Sequence, residues 1–530
     1  MPTIREVTFD LFRRHGLTTI FGNPGSNELT FLDGMPADFR YILGLHEGVV
    51  TAMADGYAQA SGAAVLVNLH AAAGSGNAMG ALTNAQNSHS PLVITAGQQN
   101  RKHIGVRALL TNVEASQLPR PLVKWSSEPA TPDDVPRTMA EAIHIAYSHP
   151  RGPVYVSVPY DDWATEASES SEHLAARTVS AARTPSVAQV RDIVARFESA
   201  TNPVLVLGPD VDASGANDLS VRLAEKLSMP VWIAPSASRC PFPTTHPHFR
   251  GVLPASISGI SRTLAGHDLI VVVGAPVFRY HQFEPGALLP PGANLVQITV
   301  DPDEAARAPM GDAIVAGIVE TLEAIVELLI QSERPAPTSR QLPPAILAGD
   351  APLAPATVFD VIYSVAPSDA IYVKESTSTT AIFWDHIHLA NPGSYFFPAA
   401  GGLGFGLPAA VGVQLAVPER RVIAIIGDGS ANYALSALWT AAQHDVPITV
   451  IVMKNGTYAA LQAFADAMNI NSAPGIDIPD MSFVALANGY GVRAESVTNA
   501  QGLQRALTAA FGQNLPTVIE VPTQVVNPFD

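Results

Sequence analysis

Two short polar segments of the chain contain the residue types that hold a metal-bound diphosphate. The first is Gly427-Asp428-Gly429-Ser430 and the second is Asn455-Gly456-Thr457, and Asp428 and Asn455 stand 27 residues apart. A carboxylate, an amide oxygen and the backbone carbonyl of Thr457 are hard oxygen ligands of the kind that Mg²⁺ or Ca²⁺ accepts. Glycines beside the aspartate let backbone amides approach a phosphate, and the serine hydroxyl adds a donor. The chemistry predicted here is binding of a diphosphate through a divalent cation.

These segments lie where a strand-helix-strand unit would bring them together. Apolar runs from Val422 to Ile426 and from Ile448 to Met453 predict two parallel strands, and Asn432 to His444 predicts the helix between them. The ends of such strands lie at the same edge of the sheet, where ligands bind. Gly-Asp-Gly is also a common turn sequence, so this segment by itself leaves an ordinary turn open as the alternative.

Length and composition predict a large soluble protein of several domains. The chain has 530 residues, 47% of them hydrophobic, and a formal charge of −17 from 30 basic and 47 acidic residues. No like-charge block indicates a nucleic-acid surface and no apolar run approaches the ~20 residues of a membrane helix, so we expect neither partner. We expect an intracellular, cytoplasmic protein. The single cysteine, Cys240, excludes internal disulfides and cysteine-based zinc sites, and we interpret it as structural.

Three α/β segments are separated by two stretches that are poor in strand-like apolar runs. The stretches are Asp161 to Pro185, rich in Ala, Ser, Thr and Glu, and the proline-dense Glu333 to Pro355. We therefore predict domains 1–180, 181–345 and 346–530. In each segment short apolar runs alternate with helical patterns, which predicts three doubly wound parallel sheets. The other runs expected to be strands are Tyr41 to Leu45, Ala63 to Leu69, Pro91 to Ala96, Val154 to Val158, Pro203 to Leu207, Val231 to Ala234, Leu269 to Val273, Leu295 to Val300, Ile371 to Val373 and Thr517 to Val521.

The spacing of Asp428 and Asn455 resembles the thiamine diphosphate motif, in which Gly-Asp-Gly is followed by paired asparagines. Asn455 matches the second asparagine, which is the family's metal ligand, but Lys454 replaces the first. We expect Lys454 either to approach the diphosphate as a cation or to face solvent. Nearly the whole chain is similar to thiamine diphosphate-dependent 2-oxo acid decarboxylases, and within them to benzoylformate decarboxylases. The other segments that carry the resemblance are Phe21-Gly22-Asn23-Pro24-Gly25-Ser26, His46-Glu47-Gly48, Asn68-Leu69-His70, Phe278-Arg279-Tyr280-His281, Glu375-Ser376-Thr377-Ser378-Thr379-Thr380 and Ala399-Ala400-Gly401-Gly402-Leu403-Gly404.

The resemblance implies a pyrimidine-binding first domain, a central domain and a diphosphate-binding third domain. It also implies active sites between subunits, with the first domain of one chain facing the third domain of another, in a homo-oligomer that is usually a tetramer. The implied cofactors are thiamine diphosphate and Mg²⁺, with Ca²⁺ as the alternative ion, and the implied metal ligands are Asp428, Asn455 and Thr457. The other implied cofactor contacts are Glu47, Asn77, Thr377, Ser378, Gly401, Leu403, Gly429, Ser430 and Tyr458.

Glu47 is the residue to which the resemblance assigns activation of the cofactor. It stands in an expected amphipathic helix that starts in the segment His46 to Tyr57, where an acidic first-turn residue is explained equally well by the helix dipole. In the family a glutamate here bonds the aminopyrimidine ring and promotes loss of the thiazolium proton. Leu403, otherwise an ordinary core leucine, is implied to support the bent cofactor.

Ser26, His70 and His281 are implied to act on the substrate. An imidazole can give and take protons near neutral pH, and we assign His70 to early steps and His281 to protonation of the intermediate left after CO₂ loss. Ser26 is implied to donate a hydrogen bond to the substrate carboxylate. Taken singly, the histidines are also interpretable as structural donors, and Ser26 as a helix cap.

The predicted substrate pocket has an apolar wall with room for an aryl group. Its residues are Pro24, Ser26, His70, His281, Thr377, Ala460, Leu461 and Phe464. Pyruvate decarboxylases carry a glutamate in this region and a tandem His-His pair in the first domain, and this chain has neither. The resemblance therefore implies decarboxylation of an aromatic 2-oxo acid, benzoylformate to benzaldehyde and CO₂, in a mandelate pathway and with carboligation as a side activity. The alternatives are a decarboxylase of another aryl or branched 2-oxo acid, an acetolactate synthase-like carboligase that would need a flavin, and a catalytically silent binding relative.

Overall fold

The computed structural model describes residues 1–168, 172–181, 183–281 and 286–528, and these form three six-stranded sheets. Every strand pairing within the described residues is parallel, and each sheet lies inside one of the three predicted segments. The expected doubly wound α/β fold is confirmed. The domain boundaries after residues 180 and 345 stay predictions, and residues 169–171 and 182 of the first stretch lie outside the described residues.

The first sheet belongs to the amino-terminal segment. Its strands are β1 (Thr19–Gly22), β2 (Arg40–Leu43), β3 (Val65–Leu69), β4 (Leu92–Gln98), β5 (Trp125–Ser127) and β6 (Val154–Pro159). Its helices are α1 (Ile4–Arg14), α2 (Leu29–Leu32), α3 (Glu47–Ser61), α4 (Ala71–Asn77), α5 (Met79–Asn87), α6 (Arg101–Ile104), α7 (Asp134–Tyr147) and α8 (Glu172–Ala175), with 3₁₀ turns at Ser26–Glu28 and Asp162–Ala164. The strand order is β2-β1-β3-β4-β6-β5.

The middle sheet has a different order. Its strands are β7 (Pro203–Leu207), β8 (Val231–Ile233), β9 (Phe249–Val252), β10 (Leu269–Val273), β11 (Asn294–Thr299) and β12 (Asp312–Val315). Its helices are α9 (Val187–Ser199), α10 (Pro209–Ala213), α11 (Asn217–Lys226), α12 (Ile257–Thr263), α13 (Pro302–Arg307) and α14 (Ile318–Leu328). The order β12-β11-β10-β7-β8-β9 places a topological switch point between β7 and β10.

The third sheet repeats the order of the first. Its strands are β13 (Ile371–Glu375), β14 (Tyr395–Phe396), β15 (Val422–Gly427), β16 (Thr449–Lys454), β17 (Arg493–Ser496) and β18 (Thr517–Pro522). Its helices are α15 (Pro355–Val365), α16 (Thr380–His386), α17 (Gly406–Ala416), α18 (Asp428–Ala431), α19 (Ala437–Gln443), α20 (Ala459–Ala467), α21 (Phe483–Gly489) and α22 (Ala500–Phe511), with a 3₁₀ turn at Thr377–Thr379. The order is β14-β13-β15-β16-β18-β17.

The helix predicted over Asn432 to His444 is wrong in its bounds. The structure has a single turn, α18, then a turn region and the short α19. Asn432 ends the first turn because its side-chain amide donates to the carbonyl of Asp428, at 2.8 Å. Asparagine side chains often compete with the helix for backbone partners in this way.

Helix α3 is buried on nearly all sides, so the expectation of an amphipathic helix is also wrong. One side faces the first sheet, and the other packs directly on α17 of the third domain. The contact depends on glycine, because a Cβ on Gly56 would lie 2.4 Å from the carbonyl oxygen of Ala409, and one on Gly412 would lie 1.9 Å from that of Met53. The order of these contacts shows that α3 and α17 run antiparallel. Among the described residues, no helix has the length and apolar content of a membrane span.

Candidate active site

The ends of β15 and β16 meet through the carboxylate of Asp428. One oxygen, Oδ2, accepts the backbone N–H groups of Asn455 at 2.9 Å and Gly456 at 2.7 Å, and Oδ1 accepts that of Gly429 at 2.9 Å. The two segments predicted to come together are therefore in direct contact. Gly429 has to be glycine, because a Cβ there would lie 2.4 Å from the ring of Tyr458.

The donor set around Asp428 fits a divalent cation. The residue is only 3% exposed, and burial raises the pKa of its carboxyl group, with the three backbone N–H groups opposing the rise. Among the described residues no basic side chain forms an ion pair with it. A buried carboxylate without a counter-charge is costly, and a bound cation removes that cost. The Asn455 Oδ1 accepts the N–H of Thr457 at 3.1 Å and retains a second lone pair for a metal.

Lys454 follows neither of the two expectations from its position. Its ammonium group forms an ion pair with Glu520 on β18, at 3.4 Å, and the lysine side chain is 28% exposed. Glu520 also accepts hydrogen bonds from the backbone N–H of Phe483 and the hydroxyl of Ser496. The lysine is thus a structural partner within the third sheet.

Glu375 organises the loop that carries Leu403, and sequence reasoning gave it no role. It is fully buried at the end of β13 and accepts the N–H groups of Gly404, Phe405 and Gly406 at 2.7, 3.3 and 2.8 Å. Burial raises the pKa of Glu375 to about 7, against those three donors. The carboxylate caps the N-terminus of α17 and fixes the turn just after Leu403. A lone glutamate closing an apolar run was the available signal.

Glu47 and Asn77 form a pair at the carboxyl edge of the first sheet. Asn77 donates from its side-chain nitrogen to Oε2 of Glu47 at 3.0 Å, so the structure shows it contacting the carboxylate. The other oxygen, Oε1, lies beside Gly74, where a Cβ would be 2.7 Å away. Glu47 is 6% exposed and begins α3, whose N-cap is His46. The Glu47 carboxylate is therefore held in one orientation, with Oε1 packed against the backbone at Gly74.

Glu28 is a second site residue that sequence reasoning missed. Its buried carboxylate accepts from Nδ1 of His70 at 2.8 Å and from the backbone N–H groups of Gly25, Ala71 and Gly97, at 2.9, 3.1 and 2.8 Å. Because a carboxylate can only accept, Nδ1 of His70 is the donor in this bond, and Nε2 faces away from Glu28. The signal in the sequence was a glutamate three residues after Gly25, the spacing of a capping box.

Ser26 lies on the 3₁₀ turn beside His70. Its side chain is exposed, and its hydroxyl is 3.4 Å from the side-chain oxygen of Asn27. The turn packs on the histidine, since a Cβ on Gly25 would lie 2.1 Å from Nδ1 of His70. Pro24 precedes this glycine on the same turn. These residues share one edge with Glu47.

The remaining pocket residues lie at the third domain, where His281 of the middle domain joins them. The imidazole of His281 meets the ring of Phe464 edge-on, with centroids 4.3 Å apart. Ala460 and Leu461 precede this phenylalanine on α20, and the leucine is 50% exposed. The buried Lys374 supports the turn with Thr377 and Ser378: its Nζ donates to the carbonyl of Ser376 at 2.6 Å and to the hydroxyl of Thr380 at 2.9 Å.

One chain does not bring these two groups of residues together. Strand ends and helix starts share an edge in a doubly wound sheet, so Glu47 marks the ligand-binding edge of the first sheet and Gly406 that of the third. Because α3 and α17 are antiparallel, the ligand-binding edges of the first and third sheets lie at opposite ends of the contact between these two helices. Asn84, near the end of α5, confirms this orientation by donating to the carbonyl of Gly402 at 2.9 Å. In the described part of the chain no hydrogen bond or ion pair joins Glu47 or His70 to Asp428.

Comparison with known proteins assigns the family. Residues 2–118, 190–325 and 375–521 match the N-terminal TPP binding domain, the central domain and the C-terminal TPP binding domain of the thiamine pyrophosphate enzymes. A benzoylformate decarboxylase of Pseudomonas aeruginosa is 62% identical over 528 residues, which is 100% of both chains. This chain belongs to the thiamine diphosphate-dependent 2-oxo acid decarboxylases. The cofactor expected from the sequence is thereby confirmed.

Solved structures of similar decarboxylases have the same fold. The thiamine diphosphate-dependent 4-hydroxybenzoylformate decarboxylase of Rhodococcus jostii RHA1 is 58% identical, with a TM-score of 0.97 over 99% of this chain and 100% of that one. The benzoylformate decarboxylase of Polynucleobacter necessarius is 38% identical, with a TM-score of 0.97 over 99% of each chain. The three-domain arrangement of this decarboxylase is therefore that of its relatives.

Proposed function

We propose that this decarboxylase converts benzoylformate or a ring-substituted relative into the aromatic aldehyde and CO₂. The observation that carries the proposal is the edge-on contact of His281 with Phe464, which places a proton-transfer group against an aromatic wall. The small side chain of Ala460 on the same helix leaves space for an aryl ring. The names of the relatives from Pseudomonas aeruginosa and Rhodococcus jostii support the same substrate class.

The cofactor and its metal would be held at the third domain. Asp428, the side-chain oxygen of Asn455 and the carbonyl of Thr457 would bind Mg²⁺, and the backbone around Gly429 and Ser430 would face the diphosphate. When bound, thiamine diphosphate supplies a sink for the electrons left by CO₂. Gly401 and Leu403 would support it from the loop that Glu375 fixes.

The residues of the first domain would orient the reacting groups and handle protons. Glu47 would exchange a proton with the pyrimidine ring, and its bond to Asn77 holds its carboxylate ready for this. Glu28 keeps the Nδ1 proton of His70 in place, so His70 presents Nε2 to the substrate side. Ser26 would bind the substrate carboxylate, and His281 would protonate the carbon that lost CO₂.

We propose further that two chains complete each active site. The antiparallel packing of α3 and α17 separates the two half-sites within one chain, and a two-fold axis would join the first-domain edge of one chain to the third-domain edge of its partner. The loop after β4 exposes Val106 and Leu109, and α20 exposes Leu461, which is the apolar surface such a contact would bury. The minimal unit is a dimer, and we propose a homotetramer built from two of them.

A flavin-dependent carboligase is the candidate that the middle domain disfavours. Dinucleotides bind at the switch point of such a sheet. Here a Cβ on Gly208 would lie 2.3 Å from Ala275, and the cavity beside these loops is about 20 Å³. His89 of the first domain also enters this crevice and pairs with Asp210 at 3.1 Å. The crevice lacks space for a dinucleotide, so carboligation is retained only as a side activity of the decarboxylase.

The proposal is tested by measuring CO₂ release from benzoylformate, a branched 2-oxo acid and pyruvate, with thiamine diphosphate and Mg²⁺ present or withheld. We expect cofactor-dependent turnover with benzoylformate preferred. Glu47→Gln should lose about 100-fold or more in kcat, because the proton-exchanging group is gone, while Glu141→Gln on the exposed side of α7 should not. Turnover that is indifferent to the cofactor, or faster with pyruvate, would contradict the assignment.

A further inference from the structure

A cavity of about 180 Å³ lies between the first and middle domains. On the first-domain side it is lined by residues that precede β4 and β6, which is the opposite edge of that sheet from Glu47. On the middle-domain side it is lined by residues that follow β7 and β11 and by the first turn of α14. Ligands of doubly wound sheets bind at the carboxyl ends of their strands, and this is such an edge of the middle sheet.

Arg151 brings to this cavity a positive charge that has no carboxylate partner among the described residues. Its guanidinium lies over the ring of Tyr147, 5.7 Å from the ring centroid. Its Nη1 donates to the carbonyl of Gly62 at 3.0 Å, but its Nε is buried without a hydrogen-bond partner. No carboxylate of the described residues forms an ion pair with this guanidinium. A buried donor of a charged group without an acceptor is costly, so this Nε favours a ligand that accepts hydrogen bonds.

A second guanidinium, that of Arg183, lines the same cavity. It forms an ion pair with Glu320 at 2.8 Å and contacts Nε2 of His149 at 2.8 Å. Because a guanidinium only donates, the imidazole of His149 is the acceptor and is neutral, with its proton on Nδ1. Burial and the two arginines Arg151 and Arg183 lower the pKa of His149 to about 4, which keeps it neutral at physiological pH.

The other charges at the cavity are already paired. Asp210 pairs with His89, and Arg239 pairs with Asp212 at 2.8 Å. Glu320 is taken by Arg183, so no carboxylate that lines the cavity remains to pair with Arg151. Helix α14 begins at the cavity wall with Gly317 as its N-cap, and Glu320 in its first turn offsets the partial positive charge of that N-terminus.

We propose that this cavity binds a small oxyanion, a carboxylate or phosphate group, which Arg151 and Arg183 hold between the first and middle domains. Guanidinium groups are suited to both anions through paired N–H donors. The volume admits a small molecule. Such a ligand would tie the first domain to the middle domain, away from the edge that carries Glu47. The inference does not depend on which 2-oxo acid the enzyme uses.

The test is the thermal stability of the holoenzyme, with thiamine diphosphate and Mg²⁺ saturating so that the diphosphate site is filled. Tm is measured in inorganic phosphate, in acetate and in chloride at equal ionic strength. We expect phosphate or acetate to raise Tm by about 3 °C over chloride near saturation, and the larger of the two shifts identifies the preferred group. Arg151→Gln should lose that shift, whereas Arg137→Gln, an exposed arginine on α7, should keep it.

Because Arg151 also bonds the carbonyl that ends α3, its variant should have a lower Tm in chloride as well. The quantity to compare is therefore the Tm in oxyanion minus the Tm in chloride, taken for each variant. Arg183→Gln is a second variant that should lose this difference. The proposal is overturned if neither oxyanion raises Tm, or if both variants keep the full shift, since a general salt effect on the protein surface would act on them equally.

Discussion

At the scale of single residues, Glu28 decides what His70 can do. Its carboxylate accepts from the imidazole and from three backbone N–H groups, which ties the 3₁₀ turn, the start of α4 and the end of β4 to one point. A histidine used for proton transfer needs a defined tautomer and a defined direction, and both come from this bond. Glu28 is thus a positioning residue that acts through His70.

We expect Glu28→Gln to lower kcat/KM by about 100-fold, because an amide cannot accept from all these donors and His70 would lose its direction. Steady-state kinetics with the preferred 2-oxo acid measures this loss. In a double-mutant cycle, Glu28→Gln should cost little more once His70→Ala is present. If the two losses multiply fully, Glu28 does not act through His70.

At the scale of elements, β13 buries an acid and a base in neighbouring positions. Lys374 and Glu375 are both fully buried, and they point to opposite faces of the strand. The lysine supports the Thr377 turn and the glutamate supports the loop with Leu403. Two loops of the candidate site therefore depend on two buried titratable groups of one strand. Burying these groups costs stability, and their hydrogen bonds fix the positions of the two loops.

The lysine makes stability depend on pH. Burial lowers the pKa of Lys374 to about 7 from an ordinary 10.5, so between those values the unfolded chain holds a proton that the folded chain lacks. Its contribution to stability therefore rises as the pH rises from 7 to 10.5. We expect Lys374→Met to be more stable than the wild type at pH 7.5, with a smaller advantage at pH 9.5, as measured by Tm. A constant difference would show that the folded lysine keeps its charge.

The contact between α3 and α17 depends on glycine at the crossing. Gly412→Ala would place a methyl group 1.9 Å from the carbonyl oxygen of Met53, so we expect a loss of about 1–3 kcal/mol in the free energy of unfolding. Gly489→Ala is the matched control, because nothing lies within 4 Å of its new methyl group. Equal Tm values for Gly412→Ala and Gly489→Ala would mean that α3 and α17 can move apart to admit the methyl group with little loss of free energy of unfolding.

At the scale of the whole molecule, the directions of the sheets separate the two groups of candidate site residues within one chain. Thr440 of α19 donates to the carbonyl of Leu43 at 2.9 Å, which places the binding edge of the first sheet alongside the body of the third domain, away from its own binding edge. A single chain therefore presents two half-sites that face different ways. In the dimer that we propose, association of two chains would complete each site.

Mixing two inactive variants tests this requirement. A dimer of one Glu47→Gln chain and one Asp428→Asn chain would carry one site with both lesions and one intact site, so random mixing should restore roughly a quarter of the wild-type activity. Two distinguishable tags would confirm that mixed dimers form. The control is a mixture of Glu47→Gln and His70→Ala chains. Both substitutions lie in the first domain, so every site of a mixed dimer keeps one of them. Sites formed within single chains would give no recovery in either mixture.

The sequence by itself determined the three α/β segments, the binding segment from Gly427 to Thr457 and the family, because apolar runs and short polar motifs are local patterns. The tertiary structure decided the partners of the site residues: Glu28 for His70, Glu520 for Lys454, and Glu375 for the loop with Leu403. These contacts join positions far apart in the chain and need the actual directions of side chains. The same holds for α3 and α17, because a helical pattern shows that a helix forms but not which way its neighbour runs. That direction separates Glu47 from Asp428 within one chain.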